Sequence, residues 1–333
     1  MRRRLPLLLA LSATALGAQP PHAVALVANQ QSASASLIDV AAGTSREIAV
    51  GTGPHEAAIL PGGRRGVVTV YGDRQVVGHE LAVIDLVRGT VERTIDLGRY
   101  TRPHGVVPVP GRPEVVAVTS EATQSLLLVD VVRGTVDRVI PTNARASHMA
   151  ALPTRGAAAG VTAFTANIAD GSTSQLDLVA GALTRVLPVS AVTEGIAVTP
   201  DGREVWLGSN TLGTVSVVDV ARGAVVATIP DLGMPYRLGI TPDGERAVAV
   251  DPQGDRITVI DVASRTVVGT IGGLGSPRGV AIAPDSRTAF ITSAGASSAI
   301  LVDLVLMREL RRVEVGSAPD GVAYAVRDGG TPG

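Results

Sequence analysis

The chain has 333 residues, of which 45% are hydrophobic, 18% charged and 2% aromatic, a composition that supports a sizeable core. It contains no cysteine and no lysine. These absences exclude disulfide scaffolds, thiolate metal sites, cysteine nucleophiles, lysine Schiff bases and the lysine of phosphate-binding loops. The formal net charge of −1 does not favour nucleic-acid binding through bulk electrostatics.

Residues 1–18 have the pattern of a signal peptide. Met1 is followed by three arginines, residues 5–16 are mainly apolar, and Gly17 and Ala18 are small residues that suit cleavage. The apolar segment is shorter than the roughly 20 residues that a transmembrane helix needs. We therefore expect a periplasmic or secreted protein without a transmembrane span in the mature chain; the alternative is an uncleaved N-terminal anchor. Residues 327–333 are expected to form a disordered tail.

An aspartate that ends an apolar run recurs at intervals of 42 to 47 residues. The aspartate is followed by a turn, a β-branched run, a short apolar run and a second tight turn. This order of segments is typical of a propeller blade of four strands. An aspartate before a turn can accept hydrogen bonds from turn amides, so we expect a structural role in every blade. The seven aspartates are Asp39, Asp85, Asp130, Asp177, Asp219, Asp261 and Asp303.

The order of the runs predicts how the ring closes. With the strands of a blade named A to D from the axis outwards, the chain begins with B, C and D runs at residues 23–28, 35–39 and 45–50. It ends with an A run at residues 321–326, which completes the first blade and removes the open edge. The sequence thus predicts an all-β fold, a single seven-bladed β-propeller of four antiparallel strands per blade over residues 22–326. An open solenoid or two stacked sandwiches are the alternatives.

The repeat pattern is clearest at residues 195–202, 214–220 and 225–229. These segments resemble YVTN repeats, and the chain resembles the YncE-like family of exported seven-bladed propellers. Blade 4 departs from the pattern at residues 153–160, which leaves the register of its first hairpin open. The resemblance is specific for the fold and weak for function, because one propeller fold serves many chemistries.

The position just before each A strand is expected to face the mouth of the central channel. The family resemblance alone implies a polar residue at this position. Such a residue could have a purely structural role, in which it forms hydrogen bonds across the channel and to water. Alternatively, His55, His104, His148 and Glu194 could hold a divalent transition metal. The same groups could bind an anion or act as acid and base, with Arg237 and Arg278 gripping a carboxylate or phosphate. The candidate ligand-binding residues are His55, His104, His148, Glu194, Tyr236, Arg237, Arg278 and Asp320.

Loops on the same face could supply a second layer of polar residues, among them Tyr71, Glu121 and Asn210, with Arg102 on an arginine-rich side that favours anions. We expect a binding or scaffold protein of the cell envelope, whose ligand is a small anion, a metal or a protein partner. A lactonase-like hydrolase that uses the same residues is the alternative. A redox or copper-handling propeller ranks last, because it would need a cofactor domain. A monomer is expected, and nucleic acid is not an expected partner.

Overall fold

The computed structural model describes residues 22–327, which form 28 strands in seven four-stranded antiparallel sheets. The sheets form the seven blades of a β-propeller, as the sequence predicts. The predicted signal peptide and all but the first residue of the predicted tail lie outside the described residues. Within residues 22–327 there is no helix of the length and apolar character needed to span a membrane.

Blade 1 combines strands from the two ends of the described chain, and every other blade uses four consecutive strands. The strands of blade 1 are β1 (His22–Asn29), β2 (Ser34–Asp39), β3 (Thr44–Ala49) and β28 (Pro319–Arg327). Those of blades 2 and 3 are β4 (Pro54–Ile59), β5 (Arg65–Gly72), β6 (Val77–Asp85), β7 (Thr90–Asp96), β8 (Pro103–Pro108), β9 (Val115–Ser120), β10 (Ser125–Asp130) and β11 (Thr135–Pro141).

The remaining blades repeat the same order. Blades 4 and 5 comprise β12 (Ser147–Ala151), β13 (Thr162–Asn167), β14 (Ser172–Asp177), β15 (Ala182–Pro188), β16 (Thr193–Val198), β17 (Glu204–Ser209), β18 (Thr214–Asp219) and β19 (Ala224–Ile229). Blades 6 and 7 comprise β20 (Arg237–Ile240), β21 (Arg246–Asp251), β22 (Arg256–Asp261), β23 (Thr266–Gly272), β24 (Pro277–Ile282), β25 (Thr288–Ser293), β26 (Ser298–Asp303) and β27 (Arg308–Glu314).

The predicted closure is confirmed by the pairing of β28 with β1. The two strands run antiparallel, with His22 opposite Arg327 and Val27 opposite Val322. The last strand therefore becomes the innermost strand of the first blade. This pairing removes the free strand edge at which another chain could add.

The hydrophobic core lies between facing sheets rather than at the axis. Val67 and Val83 of blade 2, for example, pack against Val116 and Val129 of blade 3. Strands B and C are buried on both faces by this arrangement, which is why their sequences are nearly continuous apolar runs. The space around the axis is left to polar side chains.

The predicted structural role of the repeated aspartates is confirmed in every blade. The Asp85 carboxylate, for example, accepts hydrogen bonds from the amides of Val87 (2.8 Å) and Arg88 (2.9 Å). Each of the other six carboxylates accepts at least one hydrogen bond from the amides of the turn that follows it. The aspartates thus close the turns between strands C and D.

The register of blade 4 is settled by its first hairpin. Strands β12 and β13 pair with Ala150 opposite Thr165 and Ala151 opposite Phe164. Residues 152–161, where the sequence departs from the repeat, form the connection between the two strands. The irregular sequence therefore alters a loop and leaves the four-stranded blade intact.

An arginine on strand D links most blades to the next one around the rim. Arg138 donates a hydrogen bond of 2.6 Å to the carbonyl oxygen of Val179 in the next blade. Its guanidinium occupies the space left by Gly181, whose φ of 70° suits glycine. The same arginine and glycine pairs are Arg46 with Gly89, Arg93 with Gly134, Arg185 with Gly223 and Arg311 with Gly43.

Two of the contacts between neighbouring blades, which we call seams, lack this arginine. In both of them the glycine is replaced as well. In the first seam, Ala227 of blade 5 stands in place of the arginine, and Arg265 of the facing turn stands in place of the glycine. Arg265 pairs with Glu204 at 2.7 Å. In the next seam, Gly269 stands in place of the arginine, and Met307 stands in place of the glycine. Met307 covers Gly269, where an added Cβ would lie 2.9 Å from the methionine sulfur. The paired replacements show that the two positions of a seam form one contact.

The Arg138 contact can be tested by substitution. Arg138→Ala should lower the free energy of unfolding by about 1 kcal/mol, because it removes one hydrogen bond between blades. Gly181→Ala should lower it by a similar amount or more, because the added Cβ would lie 2.6 Å from the Arg138 guanidinium at a left-handed backbone position. Denaturant unfolding measures both changes.

Arg64→Ala is the matched control. Arg64 is exposed, and among the described residues its side chain makes no hydrogen bond or ion pair. Equal unfolding free energies for Arg138→Ala and Arg64→Ala would contradict the proposed role of the seam arginine.

Candidate functional site

A repeated distortion at the start of the A strands places their side chains at the channel mouth. In six blades, a residue with φ between 51° and 61° precedes the first residue of the strand. In the same six blades, the pairing of the A strand with strand B then shifts register at a β-bulge that includes the strand's second residue. Bulges re-aim side chains, and here they direct the second residue towards the axis. The six left-handed residues are Gly53, Arg102, Ala146, Val192, Ser276 and Ala318.

This geometry corrects one detail of the sequence analysis. The mouth residues do not precede the A strands but are their second residues, except for Tyr236 in blade 6. The sequence pattern did not reveal the bulges, because a bulge adds a residue without breaking the apolar run.

Threonine hydroxyls on strand B tie neighbouring A strands together. The Thr69 hydroxyl accepts a hydrogen bond from the Glu56 amide (3.0 Å) and donates one to the His104 carbonyl of the next blade (3.0 Å). Thr119 and Thr292 make the same bridge in two other blades. The bridges hold mouth residues of adjacent blades side by side.

Three histidines from successive blades lie side by side at the mouth, and their neighbouring rings are tilted by 40° and 38°. His104 is wholly buried between the other two, with ring centroids 4.0 Å from His55 and 3.5 Å from His148. Tyr71 approaches two of the rings edge-on, at 5.1 Å from His55 and 5.5 Å from His104. The imidazoles therefore form a compact row with the tyrosine beside it.

Neither ring nitrogen of His104 has a hydrogen-bond partner among the described residues, although the side chain is fully buried. Burial, followed by the neighbouring His148 and His55, holds the pKa of His104 well below its usual value. The ring is therefore neutral and can offer a nitrogen lone pair to a ligand.

His55 lies against a buried carboxylate. Its Nδ1 is 2.9 Å from Asp320 Oδ2, within ion-pair distance, although the contact does not meet hydrogen-bond geometry. Burial alone would raise the pKa of Asp320, but His55 and Arg237 outweigh it and lower the pKa to about 2. A carboxylate behind one nitrogen orients the ring and is the usual companion of a metal-binding histidine.

His148 is held between two carboxylates instead. Its Nδ1 lies 3.2 Å from Glu121 Oε2, and its Nε2 lies 3.3 Å from Glu194 Oε1. Burial opposes the charge on His148, but these two contacts outweigh it and raise its pKa to about 9. Burial likewise opposes the charge on Glu194, whose pKa falls to about 2 because of His148 and Arg237. The pair is therefore an imidazolium and a carboxylate at neutral pH.

A buried guanidinium joins the two sides of the mouth. Arg237 donates to Glu56 Oε1 from Nη2 at 2.8 Å and to Glu194 Oε1 from Nη1 at 2.8 Å. Its guanidinium also lies 4.2 Å from the ring centroid of Tyr236. Burial raises the pKa of Glu56 against the opposing influence of Arg237.

Glu56 is a site residue that the sequence analysis did not identify. At the equivalent position, four other blades have glycine, because neighbouring A strands approach closely there. A Cβ on Gly321, for example, would clash with Glu56 and with the His55 carbonyl. Glu56 and Arg237 are charged residues at a position where the repeat has glycine. This departure from the repeat is the sequence signal that could have identified Glu56 as a site residue.

The eight candidate residues form one connected cluster. Arg278 lies at its edge, one third exposed, with Nη1 4.0 Å from Asp320 Oδ2. Of the four candidate metal ligands, His148 and Glu194 are engaged with each other. The structure instead groups His55, Glu56 and His104, each with one donor atom within 4.8 Å of the others.

A cavity of about 850 Å³ opens beside the cluster on the same face. Tyr71 belongs to its wall and also contacts the histidine row. Gln30, Arg74 and Arg102 also line the cavity. A small ligand in this cavity would therefore lie one side chain away from the imidazoles.

The comparisons with known proteins support the fold. No protein-family model matches the chain, and no curated protein matches it either. Among solved structures, the chain is similar to Kuenenia stuttgartiensis hydrazine synthase, with a TM-score of 0.69 and 17% sequence identity. The match covers 83% of this chain and 92% of that chain. At this identity, the likeness shows a shared propeller fold alone.

The ion pairs of His148 predict a pH dependence of stability. The pKa of His148 rises from 6.5 to about 9 in the folded protein. The stabilisation is therefore complete below pH 6.5 and is lost as the pH rises towards 9. Relative to His148→Gln, the wild-type protein should lose up to about 3 kcal/mol of unfolding free energy across this range.

Denaturant unfolding in a metal-free buffer measures this difference. His79→Gln is the control, since His79 is an exposed histidine paired with Asp96 away from the cluster. A constant difference between wild type and His148→Gln from pH 6.5 to 9 would show that His148 is not held as a cation.

Proposed function

We propose that this chain is an exported, YncE-like propeller that acts as a binding protein, and that its channel mouth binds a divalent transition metal ion. The observation that carries the proposal is the group of buried donors His55, Glu56 and His104, whose ligand atoms lie within 4.8 Å of one another. Nitrogen and oxygen donors of this kind suit zinc, iron or nickel.

Two further observations support a cation at this position. The His104 nitrogens have no partner among the described residues, and Asp320 stands behind His55 as an orienting carboxylate. Leaving a buried polar group unpaired costs about 1–3 kcal/mol, which a metal bond to His104 would offset.

The balance of buried charge also favours a cation. Three buried carboxylates, Glu56, Glu194 and Asp320, face one buried guanidinium, Arg237, and the imidazolium of His148. One negative charge is left without a buried partner if all three carboxylates are ionised. Buried charges require compensation, and a divalent ion beside Glu56 would supply it and keep that carboxyl ionised.

The metal site predicts stoichiometric zinc binding. We expect one Zn²⁺ per chain by elemental analysis, and His104→Ala should weaken binding measured by calorimetry about 100-fold or more. Glu56→Gln preserves the shape of the side chain and should also weaken zinc binding. This substitution tests the site without creating the buried cavity that His104→Ala would leave.

His79→Ala provides the matched control for this experiment, because it removes an exposed histidine outside the cluster. Zinc binding that is absent in the wild type, or equally strong in His104→Ala, would refute the metal site.

The YncE-like assignment and export rest on the repeats and on residues 1–18. Export predicts a mature N-terminus at Ala18 or Gln19 when the full-length chain is expressed in a Gram-negative bacterium. Terminal sequencing of the periplasmic fraction measures it. A cytoplasmic protein that retains Met1 would contradict export.

The lactonase-like hydrolase remains the second candidate. The cavity of about 850 Å³ favours it, because it has the volume for a lactone ring and shares the side chain of Tyr71 with the histidine row. Lactone turnover by the zinc-loaded protein that is lost in His104→Ala would support this candidate, and absence of turnover would count against it.

A further inference from the structure

We propose that the cavity of about 850 Å³ is a binding site in its own right, and that its ligand is a small hydroxylated monocarboxylic acid of the sugar-acid class. The wall of the cavity contains none of the proposed metal donors His55, Glu56 and His104, which are buried behind Tyr71. A ligand in this cavity is therefore held by the wall itself and needs no metal ion. The site goes beyond the proposed function and does not depend on it.

The tip of an extended hairpin in blade 2 forms part of the cavity wall. Strand β5 has eight residues and β6 has nine, whereas the corresponding strands of blades 3 to 7 have six each. The additional length lies at the mouth end, because Arg65 pairs with Asp85 at the other end. Residues 71–74 at the tip line the cavity, whose volume lies within the roughly 300–1,000 Å³ range of small-molecule sites.

Arg102 offers this cavity a guanidinium that is held in place from behind. The guanidinium lies 4.9 Å from the ring centroid of Tyr71, and Nη1 donates to the Tyr71 carbonyl at 3.2 Å. The backbone of Arg102 has a φ of 56° and is fixed by hydrogen bonds to Gly78 and Glu121. Within residues 22–327, Nε and Nη2 have no acceptor and the side chain is in no ion pair. Two free N–H groups of a fixed guanidinium suit a carboxylate, which can accept both in parallel.

Other side chains of the wall supply further hydrogen-bond donors. The carboxamide oxygen of Gln30 accepts from Arg278 at 3.4 Å, and that of Gln31 accepts from Ser317 at 3.5 Å. The two amide nitrogens are left to donate to a ligand. Arg74 is exposed, and among the described residues its side chain makes no hydrogen bond or ion pair. A wall of this kind selects a ligand that is rich in acceptor oxygens, such as hydroxyl and carboxylate groups.

The charge of the wall favours a ligand with a single negative charge. Two arginines, Arg74 and Arg102, face one carboxylate, that of Asp73, which leaves one positive charge among the lining residues. Hydrogen bonds from the amides of Val76 (2.8 Å) and Gln75 (2.7 Å) lower the pKa of Asp73 and keep it ionised. A monocarboxylate balances this wall, whereas a phosphate dianion would be repelled by Asp73.

Isothermal titration calorimetry of the purified protein in a buffer with EDTA tests the site. We expect D-glucuronate to bind at about one molecule per chain with a Kd below about 1 mM. D-glucose lacks the charge and glucose 6-phosphate carries two, so each should bind at least about tenfold more weakly. Arg102→Gln and Arg74→Gln should each weaken glucuronate binding about tenfold or more, because each removes a charged donor.

Arg99→Gln is the matched control. Arg99 also lies over a tyrosine, 5.1 Å from the Tyr100 ring centroid, but it does not line the cavity. This variant should bind glucuronate as the wild type does.

Asp73→Asn tests the balance of charge, because the asparagine oxygen can still accept the amides of Gln75 and Val76. The affinity for glucose 6-phosphate should rise relative to that for glucuronate by about threefold or more. An unchanged ratio of the two affinities would contradict the selection for a monoanion.

Three results would overturn the site: no saturable glucuronate binding, equal binding of glucuronate and glucose, or unchanged binding in Arg74→Gln and Arg102→Gln. Glucuronate binding that appears only when zinc replaces EDTA would also overturn it. Circular dichroism checks the fold of Arg102→Gln, and the exposed Arg74 keeps the test decisive if that variant does not fold. Zinc binding is measured separately, so the metal site can stand or fail without changing these outcomes.

Discussion

The candidate site depends on the antiparallel pairing of β28 with β1. This pairing carries Asp320, near the end of the described chain, to the axis beside His55 of the first complete blade. Without it, the row of three histidines would lack the carboxylate behind His55. The closing strand thus has a chemical consequence in addition to the protection of a sheet edge.

Around this closure, the site is a chain of opposite charges that crosses the axis. Glu121, His148, Glu194, Arg237 and Glu56 follow one another, and each contacts the next. Charges with so little access to water remain ionised when their partners are in place. The chain leaves two of the proposed metal ligands, His55 and His104, outside its pairings, whereas the third, Glu56, is its last member and is held by Arg237.

The outer rim explains part of the unusual composition of the chain. Four strand-D arginines donate hydrogen bonds to backbone carbonyls in the next blade, and a fifth lies against the glycine of its turn. The planar guanidinium fits over a glycine turn and still reaches a carbonyl, which a flexible ammonium group does less well. Some of the arginine in a chain without lysine is therefore used to join blades, and it is not evidence for an anionic partner.

The sequence alone determined the propeller, its seven blades, its closure and the role of its aspartates, because these follow from a period that every repeat shares. It also determined that His55, His104 and His148 occupy equivalent positions, since equivalence is a property of the repeat. The tertiary structure alone decided that His148 pairs with Glu194, that Glu56 joins His55 and His104, and that Asp320 lies behind His55. These contacts join residues from different blades, and their distances depend on strand bulges and on how closely the A strands approach at the axis. A one-dimensional repeat does not encode those two quantities in any single residue.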